Sequence, residues 1–247
     1  YTYILAKLRI TPGTASPATI WGTATGSISQ TVVSGGGGGN VYSWIRTTPG
    51  ATRITDTTPG PQTGLLAGGY LFKVVDRYGA VAHQAYTVGT VPRIVITPGQ
   101  ITPVLIYGQA TGAIAASTVT GGAEGKMLLW SSSEGATPID DTTAGAKSGL
   151  KAGLYTLTCI DVNGGVASHN FEVTQNPPIT IGGGAVTPVA IYGESTGAIG
   201  DVTVEGGSSV FSYLWSSDAT TITAQNLVKK RNLAAGRYLL RVVDSVE

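Results

Sequence analysis

The chain has 247 residues, 42% of them apolar and only 12% charged, with a formal net charge of +1. Ample apolar content and near-neutral charge exclude a disordered polyelectrolyte, and a nucleic-acid partner would need clustered Lys and Arg that the chain lacks. No apolar run approaches the ~18 residues of a membrane-spanning helix, while the abundance of Gly (36) and Pro (12) suits short strands joined by tight turns.

In chain order, the first feature is "YTYILAKLRITPG", which opens without an initiator Met or a signal peptide, as a segment of something longer would. Aligning Gly13 with Gly99 sets Tyr1–Leu5 against Thr87–Val91, so residues 1–7 read as the tail of a preceding repeat. Next comes "TIWGTATGSI", which recurs as "LIYGQATGAI" and "AIYGESTGAI"; Gly26, Gly112 and Gly197 in these copies lie 86 and 85 residues apart. "VYSWI", "MLLWS" and "SYLWS" follow and place Trp44, Trp130 and Trp215 at the same intervals of 86 and 85. The third motif is "LLAGGYLFKVVD", "LKAGLYTLTCID" and "LAAGRYLLRVVD", with Leu65, Leu150 and Leu233 separated by 85 and 83. Three motifs in one order at one period define three tandem repeats, Leu8–Pro92, Arg93–Pro178 and Ile179–Glu247. Proline at the junctions, "TVPR" and "NPPI", predicts semi-rigid connections. The third repeat stops short of a counterpart to "NGGVASHNFEVT", so a whole strand is missing and a sheet edge is left open. Continuation of the chain would supply that strand; the alternative is a neighbouring molecule.

Within the second repeat, no segment keeps a 3.6-residue period, and Thr, Val, Ile and Tyr dominate the apolar runs, which predicts an all-β fold. Strands are expected near Ile94–Ile96, Val104–Tyr107, Ala113–Thr120, Lys126–Ser132, Thr137–Asp140, Leu154–Val162 and Val166–Thr174. About seven short strands per repeat is the pattern of an immunoglobulin-like sandwich, giving three such domains in an elongated array. Trp44, Trp130 and Trp215 are read as core residues on a central strand. Trp21, whose counterparts are Tyr107 and Tyr192, is read as a core-edge residue, with an exposed ring as the alternative. Tyr70, Tyr155 and Tyr238 of "L-x-A-G-x-Y" are expected to pack at a corner and return their hydroxyls to the backbone, with Leu65, Leu150 and Leu233 in the core. Asp76, Asp161 and Asp244 close the following strand and, with Gly26, Gly112 and Gly197, are read as turn residues; turn formation explains these aspartates more simply than calcium, which needs several converging oxygens.

The lone cysteine, Cys159, alternates with Tyr155 and Leu157 on one strand face, where the other repeats carry Val74 and Val242. It is expected to be a buried, valine-sized core residue and not a nucleophile. His83 and His169 fall at different repeat positions, and no repeat has a zinc-ligand set, a nucleophile elbow or a P-loop. "SGGGGGN" (Ser34–Asn40) lacks the Lys-Ser/Thr ending that grips phosphate and reads as a loop; Lys229-Lys230-Arg231 reads as a solvated loop too. No catalytic residue, cofactor or metal is expected, and no N-x-S/T sequon occurs.

The series Gly121, Gly122, Trp130, Leu150, Ala152, Gly153, Tyr155, Asp161, Asn163 and Gly164 resembles the SprB-type repeats of bacterial surface adhesins and, more loosely, PKD and other Ig-like extracellular modules. The Cys that often follows the Asn-Gly turn in that family is Gly165 here. The resemblance implies secreted arrays that project from a surface and bind sugars, cells or one another. Three functions are therefore expected in competition: an adhesive stalk on a cell surface, a virion fibre or capsid-associated protein, and a carbohydrate-binding module of a larger secreted protein. The partners would be other copies of the chain, neighbouring surface proteins, glycans or a host-cell surface. The sugar-binding alternative needs a row of exposed aromatics, for which Tyr42, Tyr70, Tyr78 and Tyr86 are the candidates.

Overall fold

A computed structural model describes residues 6–244. The expected tail strand at Tyr1–Leu5 lies outside the described residues. In the first repeat, β2 (Ala15–Ser16), β3 (Gly26–Ile28) and β6 (Gln62–Leu65) form one antiparallel sheet, in the order β2-β3-β6. A second sheet is β5 (Val41–Arg46), β7 (Gly68–Val75) and β8 (Val81–Val88), in the order β5-β7-β8. A two-stranded ribbon joins β1 (Arg9–Thr11) to β4 (Val32–Ser34). The same plan returns in the second repeat: β10 (Ile101–Thr102), β11 (Gly112–Ile114) and β14 (Lys147–Leu150) form one sheet. The other is β13 (Met127–Ser132), β15 (Gly153–Ile160) and β16 (Val166–Val173), with β9 (Val95–Thr97) paired to β12 (Thr118–Thr120). In the third repeat, β18 (Val186–Thr187), β19 (Gly197–Ile199) and β22 (Lys230–Leu233) make the first sheet. There β17 (Thr180–Gly183) pairs with β20 (Val202–Glu205), and β21 (Phe211–Ser217) pairs with β23 (Tyr238–Asp244). Among the described residues every strand pairing stays inside one repeat.

The chain is therefore all-β, built of immunoglobulin-like β-sandwiches in tandem. Alternation drives it: along β7, Tyr70, Phe72 and Val74 are fully buried while Leu71, Lys73 and Val75 are only half-buried, and β15 repeats this with Tyr155, Leu157 and Cys159. Tyr70 and Phe72 cluster with Ile28, Leu65, Tyr86 and Val88 in the first repeat, and Tyr155 and Leu157 with Val104, Ile114, Leu150, Phe171 and Val173 in the second. Each large apolar side chain so buried contributes about 1.5–3 kcal/mol.

Four expectations need correction. The apolar run Val104–Tyr107 is not a strand; Val104 makes one isolated parallel bridge to Gln175, and Ile106–Gln109 is a turn closed by Gln109 N donating to Ile106 O. Thr137–Asp140 is not a strand either, because the segment is held by side chains: Tyr155 Oη accepts from Thr137 N, and Asp141 Oδ1 accepts from Thr143 N. Ala113–Thr120 is two strands, since the chain leaves one sheet after Ile114 and rejoins the ribbon at Thr118. Gly26, Gly112 and Gly197 open strands β3, β11 and β19 and are not turn residues. Glycine is required at the first two because the facing strand lies against them: a Cβ would sit 2.4 Å from Val88 Cγ1 at Gly26 and 2.6 Å from Val173 Cγ1 at Gly112.

A glycine that does serve backbone conformation sits in β6 and β14. Gly64 and Gly149 have φ of 66° and 68°, and the third repeat places Asn232 there at φ 57°. Asn is the side chain that best tolerates this left-handed region.

Candidate functional site

Most residues singled out by the repeat serve the sandwich itself. Tyr70 Oη donates to Leu66 O at 2.7 Å, Tyr155 Oη to Lys151 O at 2.8 Å and Tyr238 Oη to Ala234 O at 2.9 Å, one tyrosine corner per repeat. Trp44 Nε1 donates to Thr58 O, Trp130 Nε1 to Thr143 O and Trp215 Nε1 to Asn226 O, which pins the long loop before β6, β14 and β22. Trp44 and Trp215 are buried, whereas Trp130 is half-buried. Leu65, Leu150 and Leu233 are buried.

The aspartates do more than close a hairpin. Asp76 accepts from Tyr78 N and Ala80 N within its turn and from Gly37 N across the repeat. Asp161 likewise accepts from Asn163 N, Gly165 N and Ala123 N. Asp244 accepts from Ser208 N. Each thus ties the end of its strand to the glycine-rich loop before the Trp strand. The donated N–H groups, Gly37 first for Asp76 and Ala123 first for Asp161, hold both carboxyls below the usual carboxylate range against the opposing effect of burial. The loop "SGGGGGN" is thereby a structural partner of Asp76 and not a phosphate cradle.

Cys159 is fully buried and unpaired, with Leu128 and Ala167 as its cross-strand neighbours. Burial pushes its thiol pKa up, which suppresses the reactive thiolate. Among the described residues no group of three or more His, Cys, Asp or Glu converges as a metal site. His169 packs edge-on against Phe171 with ring centroids 4.9 Å apart. Tyr70 and Tyr86 are buried and Tyr42 stacks on Phe72, so of the four tyrosines only Tyr78 is exposed and the expected aromatic row does not exist.

One recurrent exposed aromatic position lies at the repeat ends. Trp21 is not in the core: it is 52% exposed, Tyr107 equally so, and Tyr192 is fully exposed. The loop carrying Trp21 meets the second repeat. The Arg93 guanidinium stands 5.4 Å from the Trp21 ring centroid, and Asn163 Nδ2 donates to Thr19 O at 3.1 Å. A cavity of about 210 Å³ lies between them, lined by Ile20, Trp21, Pro92, Arg93, Asp161 and Val166. The linker is tied on both sides. Ala18 N donates to Gly89 O in the first repeat, and Gly122 N of the second donates to Pro92 O. At the next junction, Val104 N donates to Thr174 O and Gly207 N to Pro177 O.

One recurrent position escapes a motif search. Gln62, Lys147 and Lys230 occupy the same register opposite Ile28, Ile114 and Ile199, and all three are buried. Gln62 Nε2 donates to Asp56, Lys147 Nζ to Asp141, and Lys230 Nζ to Asn226. Lys147 and Lys230 also lie 5.5 and 5.7 Å from the rings of Trp130 and Trp215. Each is a polar latch that fastens the loop between the Trp strand and the next. Lys230 thus belongs to the scaffold and not to a solvated loop. The available signal was its constant place three residues before the motif Leu.

No family model matches the chain, and no curated protein matches it. Among solved structures, Sidekick-1 immunoglobulin domains 1-5 align over 87% of this chain and 48% of that one at 11% identity and a TM-score of 0.34. The protocadherin GammaB4 extracellular domain aligns over 89% of this chain and 42% of that one at 12% identity and TM-score 0.38. Dpr2 Ig1-Ig2 in complex with DIP-Theta Ig1-Ig3 aligns over 98% of this chain and 91% of that one at 11% identity and TM-score 0.29. The chain spans less than half the length of the first two. The fold assignment rests on the strand order and register above, and among the described residues no helix is long and apolar enough to cross a membrane.

Proposed function

We propose that this chain is a non-catalytic, extracellular structural and adhesive segment: a row of immunoglobulin-like repeats that spaces a contact surface away from a cell or virion. The observation that carries the reading is the linker, hydrogen-bonded back to one repeat and forward to the next, with Trp21 and Arg93 in contact across the first junction. A row of modules that must hold a direction needs such joints, and the buried polar side chains Gln62, Asp76, Lys147, Asp161 and Lys230 are engaged in caps and latches. The repeat boundaries Leu8–Pro92, Arg93–Pro178 and Ile179–Glu247 and the SprB-type resemblance belong to this proposal.

Single-molecule pulling tests it. A spacer of independent sandwiches gives separate unfolding events for the first two repeats, each releasing roughly 280–300 Å of contour from about 85 residues at ~3.3–3.6 Å each. One event releasing the whole chain at once would refute modular repeats.

A further inference from the structure

The first repeat carries an open groove at a place that the third repeat fills with a side chain of its own. Thr47 N donates to Gly69 O across the β5–β7 pair, so the alternate residues Tyr42, Trp44 and Arg46 turn their N–H and C=O groups to the other edge of β5. Among the described residues no strand pairs with that edge. A cavity of about 470 Å³ opens between it and residues 53–57 of the following loop, with Trp44, Ile45, Arg46, Arg53, Ile54 and Thr57 in its wall. In the third repeat Gln225 Oε1 accepts from Trp215 N, and Gln225 Nε2 donates to Ile222 O at 2.8 Å. Shared hydrogen bonds fix the correspondence. Thr52 and Thr220 each accept from the residue after the motif Leu, and Thr58 O and Asn226 O each accept from the Trp ring. Ile54 therefore matches Ile222, and Thr57 matches Gln225. The Thr57 side chain is too short to repeat the plug, and among the described residues Trp44 N has no protein acceptor.

The first repeat also brings cations that its sisters lack. Arg46 and Arg53 are exposed at the groove, where the second repeat has Ser132 and Pro138 and the third has Ser217 and Thr221. Arg46 Nη1 donates to Ala51 O at 3.2 Å, and among the described residues neither guanidinium is in an ion pair. One anion, Asp56, borders the groove as well, but its oxygens accept from Thr58 and Gln62.

We propose that this groove binds a glutamate side chain presented by an acidic segment of a partner protein. Glutamate is the isostere of the glutamine that fills the third repeat. One carboxylate oxygen takes the Trp44 N–H, as Gln225 Oε1 takes that of Trp215, and so meets a main-chain donor that is costly to leave unpaired. Arg46 and Arg53 supply charged donors for the other oxygen, which selects the acid over the amide. Ile45 and Ile54 in the wall suit the methylenes of Glu better than a hydroxyl-rich sugar acid. The inference rests on one repeat and holds whether or not the chain serves as a spacer.

The test titrates a short Thr- and Val-rich peptide with one central Glu into the full chain and follows amide NMR shifts. Saturable shifts should centre on Trp44, Arg53 and Thr57. Replacing the peptide's Glu by Gln should weaken binding about tenfold, the weight of one hydrogen bond to a charged group. Thr57→Gln installs the third repeat's plug and Arg53→Thr removes a cation; each should cause a similar loss. Arg231→Ser in the third repeat should change nothing. All three positions are exposed, and matched melting temperatures separate loss of binding from loss of fold. No saturable shift at Trp44, equal binding of the Glu and Gln peptides, or full binding by Thr57→Gln would each overturn the proposal. Free glucuronate or acetate binding as tightly as the peptide would mark a simple anion site and overturn it too. None of these outcomes depends on force response, so the spacer reading stands or falls separately.

Discussion

Cys159 occupies the position of Val74 and Val242, fully buried near the end of β15 on its inward face. It should resist a thiol reagent in the native protein and react at the rate of unfolding. Cys159→Val should change stability by less than about 1.5 kcal/mol in urea titration, as volume-conserving core exchanges do. A more instructive residue is Tyr86. Its hydroxyl bonds Thr31 Oγ1 at 2.7 Å and accepts from Gly13 N at 3.2 Å. The second repeat has Phe171 there, and Ser117 Oγ accepts from Gly99 N instead. Tyr86→Phe alone should therefore strand the Gly13 N–H and cost about 1–3 kcal/mol. Adding Thr31→Ser reproduces the second repeat's solution and should recover most of that loss; no recovery would refute the pairing.

At the scale of elements, the closing hairpin and the glycine loop are joined through one carboxylate per repeat. Because the Asp76 and Asp161 pKa values are depressed in the fold by donated N–H groups, their stabilisation is present above the unfolded value of about 3.9. It is lost as pH falls through the lower folded values. Wild-type stability in urea should drop on acidification below about pH 4, and Asp161→Asn should flatten that acid limb. The bulge in β14 gives a second test. Gly149 has φ 68° with open space where a Cβ would stand, so Gly149→Ala isolates backbone strain. It should cost about 1–2 kcal/mol, whereas Asn232→Gly in the third repeat should be neutral or stabilising. The sequence was legible where one residue type has one physical use: Tyr before an alternating strand made the corner, and Cys159 among valines marked the core. It was misleading at Val104–Tyr107, whose apolar run reads as a strand but serves a repeat-end loop. The latch at Gln62, Lys147 and Lys230 was hidden because polar residues are ordinarily exposed. Only the fold shows the loop oxygen, or the Asp, that each reaches.

For the whole molecule, three copies of one architecture repeat the same corners, caps and latches and leave one aromatic position exposed at the end of each repeat. Trp21, Tyr107 and Tyr192 hold one loop position, and at the first junction that loop faces the next repeat. An aromatic that recurs at Trp21, Tyr107 and Tyr192 suits a core edge or an exposed ring, and the exposed ring is what the fold uses at the first joint. Trp21→Ala should leave the thermal stability of each sandwich nearly unchanged while widening the range of inter-repeat orientations. The direct test of the central claim is small-angle X-ray scattering of the full chain. A row of sandwiches predicts a radius of gyration well above the roughly 18 Å of one compact 247-residue domain, with a distance distribution skewed to long vectors. A value near 18 Å with a symmetric distribution would contradict it.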